Sequence, residues 1–484
     1  MRNDHVVVVG SGFGGIGMGI RLKEAGIHDF TILEQADGIG GTWRDNVYPG
    51  AACDIESHLY SFSFELNPEW SRTYATQREI LAYLERCVDK YGLRPHIRTG
   101  ARVTRAAFDD GEGVWTIDTS DGETRRARAL VAACGGLSRP ALPAIPGLDT
   151  FAGPTFHSAR WDAGARLDGK RVAIVGTGAS SIQIVPEIAP IVAHLDVYQR
   201  TPPWILPKAD RAITDEERAR FRARPWLQKI VRGVLYARHE VRALGFVVEP
   251  RILEVASWMG IKHLEASVLD PALRRKLTPS YTMGCKRILI SDDYYPALVR
   301  DNVDVVTDAI REVSPRGIVT ADGRERPADA LILATGFHAA DALAPFEVRG
   351  AGGRDLNDAW RGGAEAFLGA AVCGFPNLFL IVGPNTGLGH NSMITMIEAQ
   401  IAYILDAIRM VRRDGLTSVA VRADAQARYN ARIQARLART VWSTGCIAWY
   451  STKDGKNTTL WPGFTFEFHA RTRRVDPADY HIVE

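Results

Sequence analysis

Two short segments of this 484-residue chain carry the residue types that hold phosphate groups. Gly10-Ser-Gly12-Phe-Gly-Gly15 follows the apolar run from His5 to Val9, and Gly176-Thr-Gly178-Ala-Ser-Ser181 follows the run from Arg171 to Val175. Each reads as strand, turn and helix. In that setting the first glycine allows the tight turn, the second lets the backbone approach a pyrophosphate, and the third lets helix and strand pack closely. The N–H groups at the helix start then face the phosphates. In the second copy Ser181 stands in for the third glycine and Pro186 falls inside the following helix. That helix is expected to pack less closely and to be kinked or short. The two copies also differ in charge. At matched distances beyond Gly10 and Gly176 stand Glu34 and Arg200, each at the end of the next apolar run. A carboxylate accepts a free 2′-hydroxyl and repels a 2′-phosphate, whereas a guanidinium attracts that phosphate with paired N–H donors. The first turn therefore predicts FAD or NAD, and the second NADP(H).

The elements that position these turns repeat as well. Ala129-Leu-Val-Ala-Ala-Cys-Gly135 resembles Ala330-Leu-Ile-Leu-Ala-Thr-Gly336, and each is preceded by a hairpin signal, Asp121-Gly122 or Asp322-Gly323. The fold class is α/β, with two Rossmann-like dinucleotide-binding domains. The first domain is expected over 1–140 and again over 337–484, and the second over 141–206 and 286–336. Between them, 207–285 reads as a helical insertion, with helical spacing from Val231 to Val248 and from Ile252 to Val268. A long amphipathic helix is expected from about Asn391 to Arg413, capped by Asn391 or Ser392.

Composition narrows the function classes. Hydrophobic residues are 46% and charged residues 24%, which excludes a disordered chain or a coiled coil. Lys+Arg 59 against Asp+Glu 56 gives a net +3, too balanced for a dedicated nucleic-acid binder. Six cysteines, at 53, 87, 134, 285, 373 and 446, form no CxxC pair and no zinc-ligand spacing. Reduced thiols, no metal site and a cytoplasmic location are the expectation, and the N-terminus lacks a signal-peptide pattern. From Ala366 to Ile397 the chain has no Asp, Glu, Lys or Arg, but Gly374, Pro376, Gly383 and Pro384 punctuate it. This predicts a short buried strand, Leu378 to Val382, and a loop, not a membrane span.

Between the two turns lies Phe151-Ala-Gly153-Pro-Thr-Phe-His157-Ser-Ala-Arg-Trp161-Asp162. It resembles the FxGxxxHxxxW[P/D] fingerprint of type I Baeyer–Villiger monooxygenases, in the class B flavoprotein monooxygenase family. The related flavin N- and S-oxygenases carry Tyr where this chain has Trp161. Further matches are Gly40-Gly-Thr42-Trp43, Tyr48-Pro-Gly50, Asp54, Gln199-Arg-Thr201, Lys286-Arg287, Ala334-Thr-Gly-Phe337 and Gly383-Pro-Asn385. The resemblance implies FAD on the first turn and NADPH on the second. It implies oxygen insertion beside a ketone carbonyl through a 4a-peroxyflavin, giving an ester or lactone. Arg287 would be the cation that stabilises developing negative charge, and Asp54 would orient it beside the flavin. Thr42, Trp43 and Tyr60 would line the flavin side. Arg200, Thr201 and Lys286 would meet the 2′-phosphate side, and Trp442 the NADP ribose. His157 reads as structural or as coupling domain movement, and His390 as a loop or cap residue. Trp449 and Trp461 read as packing before cavity lining. Two other readings stand beside this one: an N- or S-oxygenase of amines or thioethers, and a non-catalytic NADP(H)-sensing flavoprotein. A disulfide reductase would need the redox cysteine pair that the chain lacks.

Overall fold

The computed structural model describes residues 4–338, 346–446, 450–452 and 454–484. Its framework is ten short parallel strands. In chain order they are β1 (Val6–Val9), β2 (Phe30–Leu33), β3 (Ile97–Arg98), β4 (Ala129–Ala132), β5 (Thr155–His157), β6 (Arg171–Val175), β7 (His194–Tyr198), β8 (Val303–Val306), β9 (Ala330–Leu333) and β10 (Leu378–Leu380). They form two sheets, ordered β10-β4-β1-β2-β3 and β5-β9-β6-β7-β8. The orders correspond strand for strand. β1 and β6 are central and carry the glycine turns; β2 and β7 lead to Glu34 and Arg200; β4 and β9 are the matched apolar segments. All four residues of β1 are buried: Val6 and Val8 pack among helices, and Val7 and Val9 against the antiparallel strands over 103–127. Each unit also has an antiparallel meander, over 103–127 and over 310–327. Gly122 and Gly323 take φ of 86° and 85° in the Asp-Gly turns.

The first helices show what the third glycine is for. α1 (Phe13–Glu24) crosses so close to the turn that a Cβ on Gly15 would overlap the Gly10 carbonyl oxygen. α2 (Ser181–Ile188) has 8 residues against 12 in α1 and contains Pro186, the expected shortening. The expected looser packing is not seen at its start, where Ser181 is fully buried. Among the described residues no helix is long and apolar enough to cross a membrane. β10 ends at Leu380, two residues short of the expected strand, and Val382 turns the chain with a φ of 61°.

The helical segment contains α3 (Pro225–Val247) and α4 (Leu253–Ser267). α3 docks through polar groups. Gln228 donates to the Asn67 carbonyl at 2.6 Å, and Arg232 to the Leu59 carbonyl at 2.9 Å. Glu56, nearly fully buried, accepts from Arg238 and from His239 Nε2, the latter at 2.6 Å. The other ring nitrogen of His239 faces the His390 carbonyl at 2.8 Å. Farther along the chain runs α5 (Met393–Arg413), packed on α1. Ser392 is its N-cap, its hydroxyl accepting from the Ile394 N–H at 3.3 Å.

Burial raises the pKa of Glu56, but the hydrogen bond and charge of His239, with the charge of Arg238, outweigh it and hold the carboxyl at about 2, below the ordinary 4.5. A depressed carboxyl stabilises the fold above its unfolded pKa and loses that effect as pH falls through the folded one. Glu56→Gln is therefore expected to cost about 3 kcal/mol near neutral pH, as one partner of a buried ion pair. Chemical denaturation should show the gap from the parent narrowing as pH falls from 4.5 toward 2.

Candidate active site

Both turns leave bare backbone where a dinucleotide would lie. Gly10 and Gly176 adopt φ of 103° and 110°. A Cβ on Gly10 would meet the Ala133 carbonyl oxygen at 2.6 Å, and one on Gly176 would meet that of Ala334. The close strand-to-turn approach thus explains the matched segments read from sequence. Gly12 faces a second glycine loop: Gly40 N–H donates to the Ser11 carbonyl at 3.0 Å, and a Cβ on Gly41 would sit 3.1 Å from the Gly12 Cα. Above Gly178 the space is open to 4 Å. These cradles fit two pyrophosphates.

Beside the first turn the Glu34 carboxylate is fixed. One oxygen accepts from Ser11 N–H at 2.9 Å and Ser11 hydroxyl at 2.7 Å, and the other from Ala36 N–H at 2.8 Å. Thr42 opens a one-turn helix, Thr42–Asp45. Trp43 Nε1 donates to the Tyr60 hydroxyl at 3.1 Å, and Phe13 meets the Tyr60 ring edge-on at 5.3 Å. Beside the second turn, Thr177 hydroxyl donates to the Thr201 carbonyl at 3.2 Å. Arg200 is exposed at the end of β7. Burial, and then the charge of Arg200, lowers the Lys286 ammonium below its ordinary pKa. Two cations that repel one another at the end of a nucleotide-binding strand favour an anion between them.

Arg287 and Asp54 meet where the units join. Arg287 Nε donates to Asp54 Oδ2 at 3.1 Å, and Nη2 donates to the same oxygen. Asp54 raises the guanidinium pKa further, against the effect of burial. The pair stays reachable from solvent, with side chains 38% and 30% exposed. Asp54 follows a loop that the second unit grips. Gln183 on α2 accepts from the Tyr48 hydroxyl at 3.0 Å and donates to the Ala52 carbonyl at 3.0 Å. Sequence reading missed Gln183, whose one signal is an amide inside the apolar run Ile182, Ile184, Val185. It also assigned nothing to Glu56.

A family model described as pyridine nucleotide-disulphide oxidoreductase matches residues 7–223. The chain is 52% identical, over all of its length and 92% of the relative, to a Baeyer-Villiger monooxygenase of Pseudomonas aeruginosa. A Baeyer-Villiger monooxygenase of Streptomyces coelicolor is 51% identical over 99% of this chain and 92% of that one. The chain belongs to the Baeyer–Villiger monooxygenase family. Solved structures agree along the whole chain. A closed cyclohexanone monooxygenase gives a TM-score of 0.87 at 32% identity, covering 99% of both chains. An oxidized steroid monooxygenase bound to NADP gives 0.87 at 32%, covering 100% of this chain and 99% of that one.

In this Baeyer–Villiger family member the C-terminal part closes on the site. Trp442 is buried, 6.0 Å from the Phe246 ring, and Gly389 lies against it. Burial, and then the charge of His239, drives His390 down to about 3, so a neutral imidazole packs there. His157 Nδ1 accepts from Ala159 N–H at 3.1 Å, and its ring meets Phe337 edge-on at 5.7 Å. Trp461 is a core residue, its Nε1 donating to the Phe464 carbonyl at 3.0 Å. Trp449 lies outside the described residues. The expectation of reduced thiols is corrected at one pair: Cys285 and Cys446 form a disulfide, with Cα atoms 6.2 Å apart. The Tyr450 hydroxyl donates to the Cys285 carbonyl. The bond joins the residue before Lys286-Arg287 to the segment after Trp442. A separation of 161 residues hides such a pair from spacing arguments. Alkylation of unfolded, unreduced protein should label Cys53, Cys87, Cys134 and Cys373 alone, and all six cysteines after reduction. Intact mass reads the difference.

Proposed function

We propose that this chain is an NADPH- and oxygen-dependent FAD monooxygenase that inserts one oxygen atom beside a ketone carbonyl, giving an ester or lactone. The observation that carries the reading is the Arg287–Asp54 pair at the junction of two nucleotide turns of opposite end-of-strand charge, in a chain of this family. The first turn, with Glu34, Thr42, Trp43 and Tyr60, would hold FAD. The second, with Gly176, Gly178, Ser181, Arg200, Thr201 and Lys286, would hold NADPH, with Trp442 against its ribose side. Once reduced by NADPH, the flavin supplies the activation of oxygen.

The chain supplies orientation and charge. Asp54 takes Nε and Nη2 of Arg287, and Nη1 has no hydrogen bond among the described residues. That end of the planar fork is offered to a ketone oxygen as negative charge develops on it. Asp54 fixes the direction of the fork, and Gln183 fixes the loop that carries Asp54. The partners are a small ketone and oxygen. Dependence on NADPH supports a cytoplasmic location.

Incubating the purified protein with NADPH, oxygen and a ketone panel should yield a product one oxygen atom heavier than the ketone, identified as an ester by mass spectrometry. Oxidation of amines or thioethers with no ester from any ketone would instead favour the N- or S-oxygenase. Reduction by NADPH without turnover would favour the sensor. Arg287→Ala should retain FAD, read by absorbance after desalting, and form no ester. Arg200→Ala should raise the KM for NADPH about tenfold or more, the worth of a hydrogen bond to a charged group. The KM for NADH should stay unchanged.

A further inference from the structure

α3 buries polar groups and leaves large apolar side chains exposed. Its buried side mixes Ala243 and Phe246 with polar groups: Gln228, His239 and Glu240 are nearly inaccessible, and Glu240 accepts from Thr465 N–H at 2.9 Å and Asn391 Nδ2 at 2.7 Å. Its solvent side sets large apolar side chains among the exposed cations Lys229, Arg238 and Arg242. Trp226 is 57% exposed, Val234 63% and Val241 64%. The next helix widens the surface with Val255 at 66% and Trp258 at 62%. Together the two helices expose on the order of 1,000 Å² of apolar side chain, against about 800 Å² per partner in a stable interface. The largest apolar patch on an ordinary monomer is about 300–600 Å².

The pattern says what covers it. The exposed residues recur at three- and four-residue steps, the spacing of a helix-to-helix seam. Apart from Val234, those between Trp226 and Val248 are also symmetric about Ala237. Trp226 and Val248 stand at equal distances from it, as do Ile230 and Leu244, and Gly233 and Val241. A second α3 crossing antiparallel at Ala237 sets each residue against its counterpart, which is the self-complementarity of a two-fold interface. Small residues at Gly233 and Ala237 let the helices approach at the crossing. Charge agrees. Exposed Arg224 precedes the helix and exposed Glu249 follows it, so the antiparallel arrangement brings each beside the other of the copy. A bilayer would instead have to take up the exposed carboxylates of Glu249 and Glu254.

We propose that the outer faces of α3 and α4 join two copies of this chain in an antiparallel, two-fold dimer centred on Ala237. Sedimentation velocity of the FAD-loaded protein at micromolar concentration should give twice the mass of one chain. Val241→Glu, a change on an exposed residue, should halve that mass while FAD stays bound. Ala237→Cys should cross-link to its own copy on mild oxidation. Arg224→Glu should weaken the dimer, and Glu249→Arg in the same chain should restore it. A monomeric parent, a Val241→Glu variant that remains dimeric, or an Ala237→Cys variant that does not cross-link would overturn the proposal. So would a monomer that co-sediments with phosphatidylglycerol vesicles, which would give the face to a lipid surface.

Discussion

The contact between Arg287 and Asp54 joins segments 233 residues apart, and the surrounding structure is arranged around the place where they meet. In the role proposed for it, the Arg287 guanidinium must be charged and aimed. Arginine secures the charge at any working pH. The aim comes from Asp54, and Asp54 in turn depends on a loop held by Gln183 from the helix of the other nucleotide turn. The two nucleotide units are therefore joined at the site by hydrogen bonds to side chains and backbone, as well as by the polypeptide between them.

Much of the framework was legible because it rests on local steric rules. A turn that must approach a phosphate needs glycine, and a strand covered on both faces needs an unbroken apolar run. Both leave marks within a few residues of sequence. The placement of Glu34 and Arg200 past the ends of β2 and β7 was legible for a related reason: the two units repeat at a fixed spacing. Pro186 announced the shorter α2, and the Asp-Gly pairs announced their hairpins. The roles proposed for Arg287, Asp54, Trp43, Tyr60 and Trp442 came from family resemblance and not from spacing. An isolated arginine or tryptophan carries no local mark of its task.

What escaped the sequence was set by contacts between distant segments. Nothing near Cys285 points to Cys446, and nothing near Glu56 points to His239 and Arg238. α3 is the clearest case. Its periodicity was readable, but this helix turns polar groups inward beside Ala243 and Phe246 and leaves large apolar side chains outside. Its polar side finds partners in the segments 56–67, 390–391 and 465, which turn buried carbonyls and carboxylates toward it. Burying those groups is tolerable because each is paired, and pairing requires geometry that only the assembled chain provides.

The Cys285–Cys446 bond also acts on the chain when nothing else is formed. It closes a ring of 161 residues in the denatured ensemble, and a loop of that length forfeits about 5 kcal/mol of chain entropy in the simplest cross-link account. The random coil, and not the native molecule, bears that restriction. The region around Cys446 thus stays leashed to the middle of the chain even under strong denaturant, so refolding begins with those two regions already neighbours.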